Sequence, residues 1–384
     1  MNKPHLAIAC TQHRVGDIRV FSRLACGFAA LGWRVSLLAP PIEPIPEMPA
    51  GVDYYPVKRV LGYLRRLFFA GGVVPLLKQL SPDIVIFPDP ELMPVLLNYK
   101  RRTSRVVVFD RHEVFDKLET LAVYSWLERL LLRAYVHYER YAATRLNGVI
   151  VVLAEMIEAL PPATNTIVAH NYPTRASLKA LAAPTPPHTP RFTCVHIGAI
   201  YADRYFDELL ALVHELVVVR GKRDFTLCLG GQFEPGLMAR AQAFIAKHKL
   251  ASNVTIIPDR VPHENVLRLV RASRIGLSPY RRNVIAQNTL QNKILEFMAA
   301  GLPVITSPSS KNGEVVKRSD CGRLFWAEQI EEIADTVQEW MENPEEAERL
   351  GQRGRAYVLE YLVWEEELVK LEQWLLNMLP DRQD

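Results

Sequence analysis

The sequence predicts an α/β protein built from two doubly wound parallel sheets. Three observations carry that reading. The chain has 384 residues, enough for two domains of ordinary size. Short apolar runs recur along it with helical patterns between them, as expected of parallel sheets covered on both faces. Between the halves, Thr174–Arg191 gathers Pro184, Pro186, Pro187 and Pro190 among small residues. That proline density prevents regular structure and reads as an interdomain linker. The expected domains are residues 1–173 and 192–356, with 174–191 joining them and 357–384 forming a terminal helix. Two such domains make a cleft, and ligands of open parallel sheets bind beyond the carboxyl ends of the strands.

The first expected strand, Leu6–Cys10, runs into the polar stretch Thr11–Arg19 (TQHRVGDIR). A loop entering a helix is a place for phosphate or acceptor contacts. Gly16 permits close backbone approach, and Asp17 is placed to cap a helix starting at Ile18. Strands follow at Val35–Leu38 and Ile84–Phe87. The latter leads into Pro88–Leu92 (PDPEL), which sets Asp89 and Glu91 at a strand's carboxyl end, as acceptor contacts or as a turn with a helix cap. The strand Val106–Phe109 ends in Asp110-Arg111-His112-Glu113, where His112 reads as a ligand contact or as a structural hydrogen-bonder. A strand at Val149–Val152 and the exit His170-Asn171-Tyr172-Pro173 complete the first half. Proline there restricts its predecessor and directs the chain. Periodicity alone does not separate any one of these runs from a buried helix.

The second half reads as strands at Thr193–Ile197, Thr226–Leu229, Val254–Ile257, Ile275–Ser278 and Val304–Ile305. Gly198 follows the first; Gly230 and Gly231 follow the second, for close approach to a ligand or for a tight turn. The richest segment is Gln287–Ser307, QNTLQNKILEFMAAGLPVITS. Lys293 and Glu296, three apart, share a helix face. Gly301 ends that helix where a left-handed residue is cheap, and Pro303 prevents continuation. A loop, a short helix whose N-terminus can hold an anion, and a return into the sheet suit a nucleoside diphosphate. Amides would meet the phosphates and a carboxylate the ribose hydroxyls. The same order also describes an ordinary α/β unit, with Glu296 a surface carboxylate. Tyr357–Leu379 closes the chain as one helical pattern, with Trp364, Leu368, Leu371 and Leu375 at helical spacing.

Glu296, Met298-Ala299-Ala300-Gly301 and Pro303-Val304-Ile305 resemble the nucleotide-sugar motif of retaining GT-B glycosyltransferases, specifically glycosyltransferase family 4. The likeness extends to Asp17–Phe21, Leu31–Val35, Asp89–Leu92 and Asp110–Glu113. It implies two Rossmann-like domains facing across a cleft, acceptor in the first and nucleotide sugar in the second. It also implies that the C-terminal helix packs back on the first domain. The expected activity is transfer of a sugar, with retention, from a nucleoside diphosphate sugar (UDP favoured, GDP possible). The acceptor would be a glycan or lipid-linked molecule in surface polysaccharide or glycoconjugate synthesis. By this resemblance Glu296 binds ribose, and Gly198, Arg204 and Lys293 meet the diphosphate. Arg260 stands beside the base, and Asn288, Thr289 and Leu290 line the donor site together with Gly16 and Gly230. His112 touches the donor sugar or orients the acceptor, and Glu113 orients His112 or meets the acceptor. Asp17, Arg19, Asp89 and Glu91 fall on the acceptor side. The family pairs the position of Glu296 with a second glutamate eight residues earlier. Here that residue is Asn288, whose amide can bond a hydroxyl but carries no charge. Ala199 stands where many members have arginine. No side chain is assigned as nucleophile; the leaving phosphate is expected to take the acceptor's proton.

Composition narrows the field further. Hydrophobic residues make up 49% and charged residues 23%, which suits a globular chain with a sizeable core. No apolar run approaches the roughly 20 residues of a membrane span, and the N-terminal apolar run is too short for a signal peptide. Five scattered cysteines argue against a disulfide framework and a zinc site, and fit a cytoplasmic location. No Asp-x-Asp pair ends a strand, so Arg204 and Lys293 are expected to stabilise leaving-group charge without a metal or cofactor. The first 175 residues carry 21 basic against 15 acidic residues, the remainder 25 against 27. That excess is small for nucleic-acid binding. Its placement in Val57–Leu67 (VKRVLGYLRRL) and Leu121–Tyr141, among aromatic and aliphatic residues, suits the inner face of an anionic membrane or two ordinary amphipathic helices. Two other classes stay open: a sugar-nucleotide epimerase on the same architecture, and a catalytically weak scaffold, to which Asn288 and Ala199 point.

Overall fold

A computed structural model describes residues 3–59, 70–111, 126–182, 192–202, 205–258, 263–282, 290–308 and 311–380. The chain divides into two compact units. The first is Met1–Asn171 with Trp364–Asp384, and the second is Tyr172–Val363.

Unit 1 holds a seven-stranded sheet in the order β3-β2-β1-β4-β5-β6-β7. Its strands are β1 His5–Ala9, β2 Arg34–Ala39, β3 Val52–Pro56, β4 Ile84–Phe87, β5 Val106–Arg111, β6 Gly148–Val151 and β7 Thr166–Val168. Every ladder is parallel, with Leu6 opposite both Val35 and Ile84. β4, β5 and β6 are buried along their whole length, which is why they read as unbroken apolar runs. Alternate residues feed two cores. Ala7, Val85, Phe87 and Val107 pack with Leu92, Met93 and Leu96 on one face. Leu6, Ile8, Val35 and Ile84 pack with Phe28 and Trp33 on the other.

The second of those cores is closed by the helix Trp364–Leu376. Trp364, Leu368, Leu371 and Leu375 are all buried in it, and each such burial stabilises by about 1.5–3 kcal/mol. Polar contacts set its register: Trp33 Nε1 donates to Glu372 Oε1 at 2.6 Å and Trp364 Nε1 to the Arg23 carbonyl at 2.9 Å. Gly148 admits it closely, because a Cβ there would fall 2.4 Å from the Trp374 ring. The terminal segment is two helices where the sequence suggested one. Pro344–Tyr361 belongs to unit 2, Leu362 and Val363 interrupt, and Trp364–Leu376 belongs to unit 1.

Unit 2 repeats the topology with six parallel strands in the order β10-β9-β8-β11-β12-β13. They are β8 Phe192–Ile197, β9 Leu227–Gly231, β10 Val254–Pro258, β11 Ser273–Ser278, β12 Val304–Thr306 and β13 Gly322–Leu324. In both units the first strand has the second on one side and the fourth on the other. That places a switch point between β1 and β4, and another between β8 and β11.

Two sequence expectations need correction. The strands β3, β7 and β13 were not anticipated; all are sheet edges, too short or too polar to read as apolar runs. The linker expected over 174–191 begins with a helix, Arg175–Ala182. Thr174 bonds the Ser177 amide at 3.2 Å, while Leu178 and Leu181 bury against unit 2. The prolines start only at Pro184, too late to break it, and 183–191 lies outside the described residues.

Candidate functional site

In unit 2 the chemistry gathers at the carboxyl ends of β8, β9 and β11. Gly198 follows β8 with φ 134°, and Gly231 ends β9 with φ 139°. A Cβ at Gly231 would lie 1.9 Å from the Gly198 carbonyl oxygen, so the two backbones meet only because Gly231 has no side chain. Gly230 lies inside β9, where its carbonyl accepts from the Gly198 amide at 2.9 Å. Of the pair Gly230-Gly231 that the sequence offers for close approach, Gly231 is the one whose backbone lies against Gly198.

Over this bare backbone stands Lys293. A Cβ at Gly198 would be 3.0 Å from its Nζ. Lys293 is the second residue of the helix Asn292–Ala299. Gln291 precedes that helix, and its side chain makes no cap: Oε1 accepts from Ser278 Oγ at 2.9 Å and Nε2 donates to the Tyr280 hydroxyl. Its own amide donates to Asn312 Oδ1 at 2.8 Å. The helix start is thus anchored from β11 and from the helix Lys311–Ser319. Its far end closes as the sequence indicates. Gly301 has φ 77°, its amide bonds the Met298 carbonyl, and the Leu302 amide bonds that of Phe297. That is the Schellman pattern. Glu296, half-buried, lies one turn beyond Lys293 on the same helix, and Leu290 is half-buried just before it.

The tip of Lys293 is also held. Its Nζ lies 3.3 Å from Tyr205 Oη and 3.4 Å from His196 Nε2. Sequence reasoning missed both partners. His196 had a usable signal, a histidine inside an otherwise apolar strand and two residues before Gly198; Tyr205 had none.

In unit 1 the corresponding strand ends are filled by the protein itself. Asp89, 1% exposed, accepts at Oδ2 from the amides of Thr11 (2.5 Å) and Gln12 (2.8 Å). Its Oδ1 meets His13 Nδ1 at 2.6 Å. Burial by itself would push the Asp89 carboxyl up; the bonds and charge from His13 and the bonds from these amides outweigh it and hold it below the usual range. Burial would lower His13, but the Asp89 bond and the charges of Asp89, Asp17 and Asp110 raise it to about 9. Glu91 accepts from the Thr11 hydroxyl at 2.9 Å. Asp17 caps its helix as expected, accepting from the amides of Arg19 and Val20.

Arg19 is 4% exposed and forks onto Asp110 at 2.8 and 2.6 Å, with its third nitrogen on the Ala169 carbonyl and on Asn171. These bonds tie the residue read as acceptor-side into the framework of unit 1. A Cβ at Gly16 would meet the tip of the Ile42 side chain at 2.4 Å. Arg111 and Glu139 form a second buried pair at 2.9 Å, so β5 ends in two ion pairs. His112, Glu113, Arg204, Arg260, Asn288 and Thr289 lie outside the described residues.

A repeated Rossmann-like topology, with a lysine held at the carboxyl ends of the second unit's strands, is the two-domain GT-B fold of glycosyltransferases. Comparison with known proteins names the family. The profile of glycosyl transferases group 1 matches residues 181–357, and that of the glycosyl transferase 4-like domain matches 16–171. Together they take in most of both units, and the chain belongs to the group 1, family 4-like glycosyltransferases. It is similar to an MMP α-(1→4)-mannosyltransferase of Mycolicibacterium hassiacum, 24% identical over 155 residues. That match covers 40% of this chain and 36% of the relative, about a third of its length. Among solved structures it is similar to sucrose-phosphate synthase from Thermosynechococcus elongatus, with TM-score 0.71 and 16% identity, over 98% of this chain and 99% of the other. Anabaena HepE in complex with UDP is also similar, with TM-score 0.70 and 15% identity, over 97% and 100%. At these identities the structural likenesses establish the fold.

Proposed function

We propose that this chain transfers a sugar, with retention of configuration, from a nucleoside diphosphate sugar to a hydroxyl of a glycan or lipid-linked acceptor. A UDP-sugar is the favoured donor and a GDP-sugar the second. The observation that carries this reading is the Lys293 ammonium held over Gly198, with Glu296 one turn along the same helix. The ammonium and the amides of the helix start are suited to a diphosphate; Glu296 can accept from ribose hydroxyls. As the bond from the anomeric carbon to the diphosphate breaks, Lys293, together with Arg204, stabilises the charge left on the phosphate oxygen. The acceptor oxygen bonds the same face of that carbon, and its proton passes to the departing phosphate. No side chain enters as nucleophile, and neither metal nor cofactor is assigned to the step. The HepE structure named above is a complex with UDP, which supports uridine as the favoured base.

Thermal stability of the purified protein with UDP-, GDP-, ADP- and TDP-sugars tests the proposal. Ligand at about 100 times its dissociation constant adds about 2.7 kcal/mol. One nucleotide class is expected to raise Tm, and Glu296→Ala to diminish the rise. Absence of any shift would turn the reading toward the scaffold.

We also propose that the protein works at an anionic membrane surface on the cytoplasmic side. Support comes from the helix Trp126–Ala143. Trp126 is 76% and Leu130 57% exposed, Arg129 and Arg133 flank them, and Arg145 stacks on exposed Tyr141 at 3.6 Å. Such a face suits an anionic bilayer. The basic residues Arg65 and Arg66 lie outside the described residues. Among those described, no helix is long and apolar enough to cross a membrane. Cosedimentation with anionic vesicles is expected to fall in Arg65→Glu/Arg66→Glu and in Trp126→Ala; unchanged binding would remove this part of the proposal.

A further inference from the structure

The groups that hold the Lys293 tip form a directed chain. His196 Nδ1 lies 2.8 Å from the Leu277 carbonyl oxygen, and His196 Nε2 lies 2.8 Å from Tyr205 Oη. A carbonyl only accepts, so Nδ1 carries a ring proton; an ammonium only donates, so Nε2, 3.4 Å from Lys293 Nζ, is the accepting nitrogen. The Tyr205 hydroxyl must then donate to Nε2, which turns its lone pairs toward the ammonium 3.3 Å away. Every donor runs in one direction: Lys293 to Tyr205, Tyr205 to His196, His196 to the β11 backbone. Bonds in such a chain polarise one another where the dielectric is low.

Packing leaves the hydroxyl little choice of position. His196 and Tyr205 are both fully buried. Their rings meet edge-on at 4.7 Å, and Tyr205 meets Tyr280 edge-on at 5.3 Å. Tyr280 in turn bonds Gln291, which precedes the helix carrying Lys293. The base and the tip of the lysine are therefore tied to one aromatic cluster. A histidine inside a buried strand costs stability unless it is paired, and an apolar residue would pack there at no such cost.

We propose that Tyr205 and His196 are positioning residues for the donor, holding the Lys293 ammonium over Gly198 where a diphosphate oxygen docks. The inference rests on the reading of Lys293 as a diphosphate ligand. Tyr205→Phe keeps the ring and its edge-on contacts and removes only the hydroxyl. The ammonium then keeps its charge and loses its Tyr205 anchor, with His196 Nε2, 3.4 Å away, left to place it.

The test is UDP binding by calorimetry (GDP where the nucleotide panel selects it) to wild type, Tyr205→Phe, Lys293→Met and the double variant. Ligand-free Tm of each variant reports any purely structural loss. Tyr205→Phe is expected to weaken UDP about tenfold, the net worth of a hydrogen bond to a charged group. In the Lys293→Met background it is expected to add no further weakening, because there is no ammonium left to place. His196→Leu should follow Tyr205→Phe. An unchanged affinity in Tyr205→Phe, or the same loss in both backgrounds, overturns the positioning role while leaving the donor site intact. Wild-type affinity in Lys293→Met overturns the site assignment itself, and this proposal with it.

Discussion

The same strand order is used twice in this chain, and the two copies finish their central strands in opposite ways. After β1 and β4, unit 1 folds its own loop onto a buried carboxylate: Asp89 binds Thr11, Gln12 and His13. Beside it Arg19 locks onto Asp110 out of solvent. After β8 and β9, unit 2 strips the backbone bare with Gly198 and Gly231 and brings the Lys293 ammonium over it. Among the described residues, one switch point is packed with its own side chains, and the other is lined by bare backbone and an ammonium. Topology supplies a place for a ligand in both; the side chains after the strands decide whether the protein keeps that place for itself.

If that contrast is right, substitutions in the unit 1 cluster should register in stability and substitutions at the unit 2 site in ligand binding. The largest effect is expected from Arg19→Met, which leaves Asp110 buried without its cation. It should cost about 3–5 kcal/mol in urea unfolding, while nucleotide still raises Tm. A loss under 1 kcal/mol would break the comparison.

The His13–Asp89 pair gives the next effect, through pH. His13 is raised from 6.5 to about 9, so its contribution is complete below pH 6.5 and is lost as pH rises through about 9. Asp89 is lowered from 3.8, so its contribution is present above that value and is lost as pH falls below it. Between pH 6.5 and 9 the wild type should lose about 2–3 kcal/mol more than His13→Gln, read from urea unfolding at several pH values. Parallel curves for the two proteins would show that the pair adds nothing.

Gly301→Ala comes third. The left-handed φ of 77° rather than crowding sets its cost, since the nearest side-chain atom to a Cβ there is 3.5 Å away. A loss of about 1 kcal/mol is expected in thermal unfolding. Lys293→Met should have the smallest effect on stability, within about 0.5 kcal/mol, yet remove most of the nucleotide-induced rise in Tm. A large stability loss from Lys293→Met would erase the distinction between the two switch points.

Much of this was legible in the residues. Asp17 reads as a helix cap, and its carboxylate accepts from two first-turn amides. Gly301 and Pro303 read as a helix stop, and a Schellman turn stands there. Lys293 and Glu296 read as neighbours on one helix face. What escaped notice was assigned by partners elsewhere. The resemblance of Asp17–Phe21 places Arg19 on the acceptor side; its fork onto Asp110, 91 residues away, buries it. Thr174–Ala182 looked irregular because of prolines that follow it and do not enter it.

By itself the sequence determined the central strands of both sheets, the Asp17 cap, the stop at Gly301 and Pro303, and which residues can reach a strand's carboxyl end. Those follow from short-range rules: apolar period, capping groups, and the φ that glycine and proline allow. Only the tertiary structure decided that Asp89 closes on Thr11, 78 residues before it, that Glu372 receives Trp33, 339 residues away, and that Tyr205 and His196 hold Lys293. A periodicity states that a side chain is buried and does not name what it is buried against. That choice is made when the parallel sheets close and each buried polar group must find a partner or be lost to the fold.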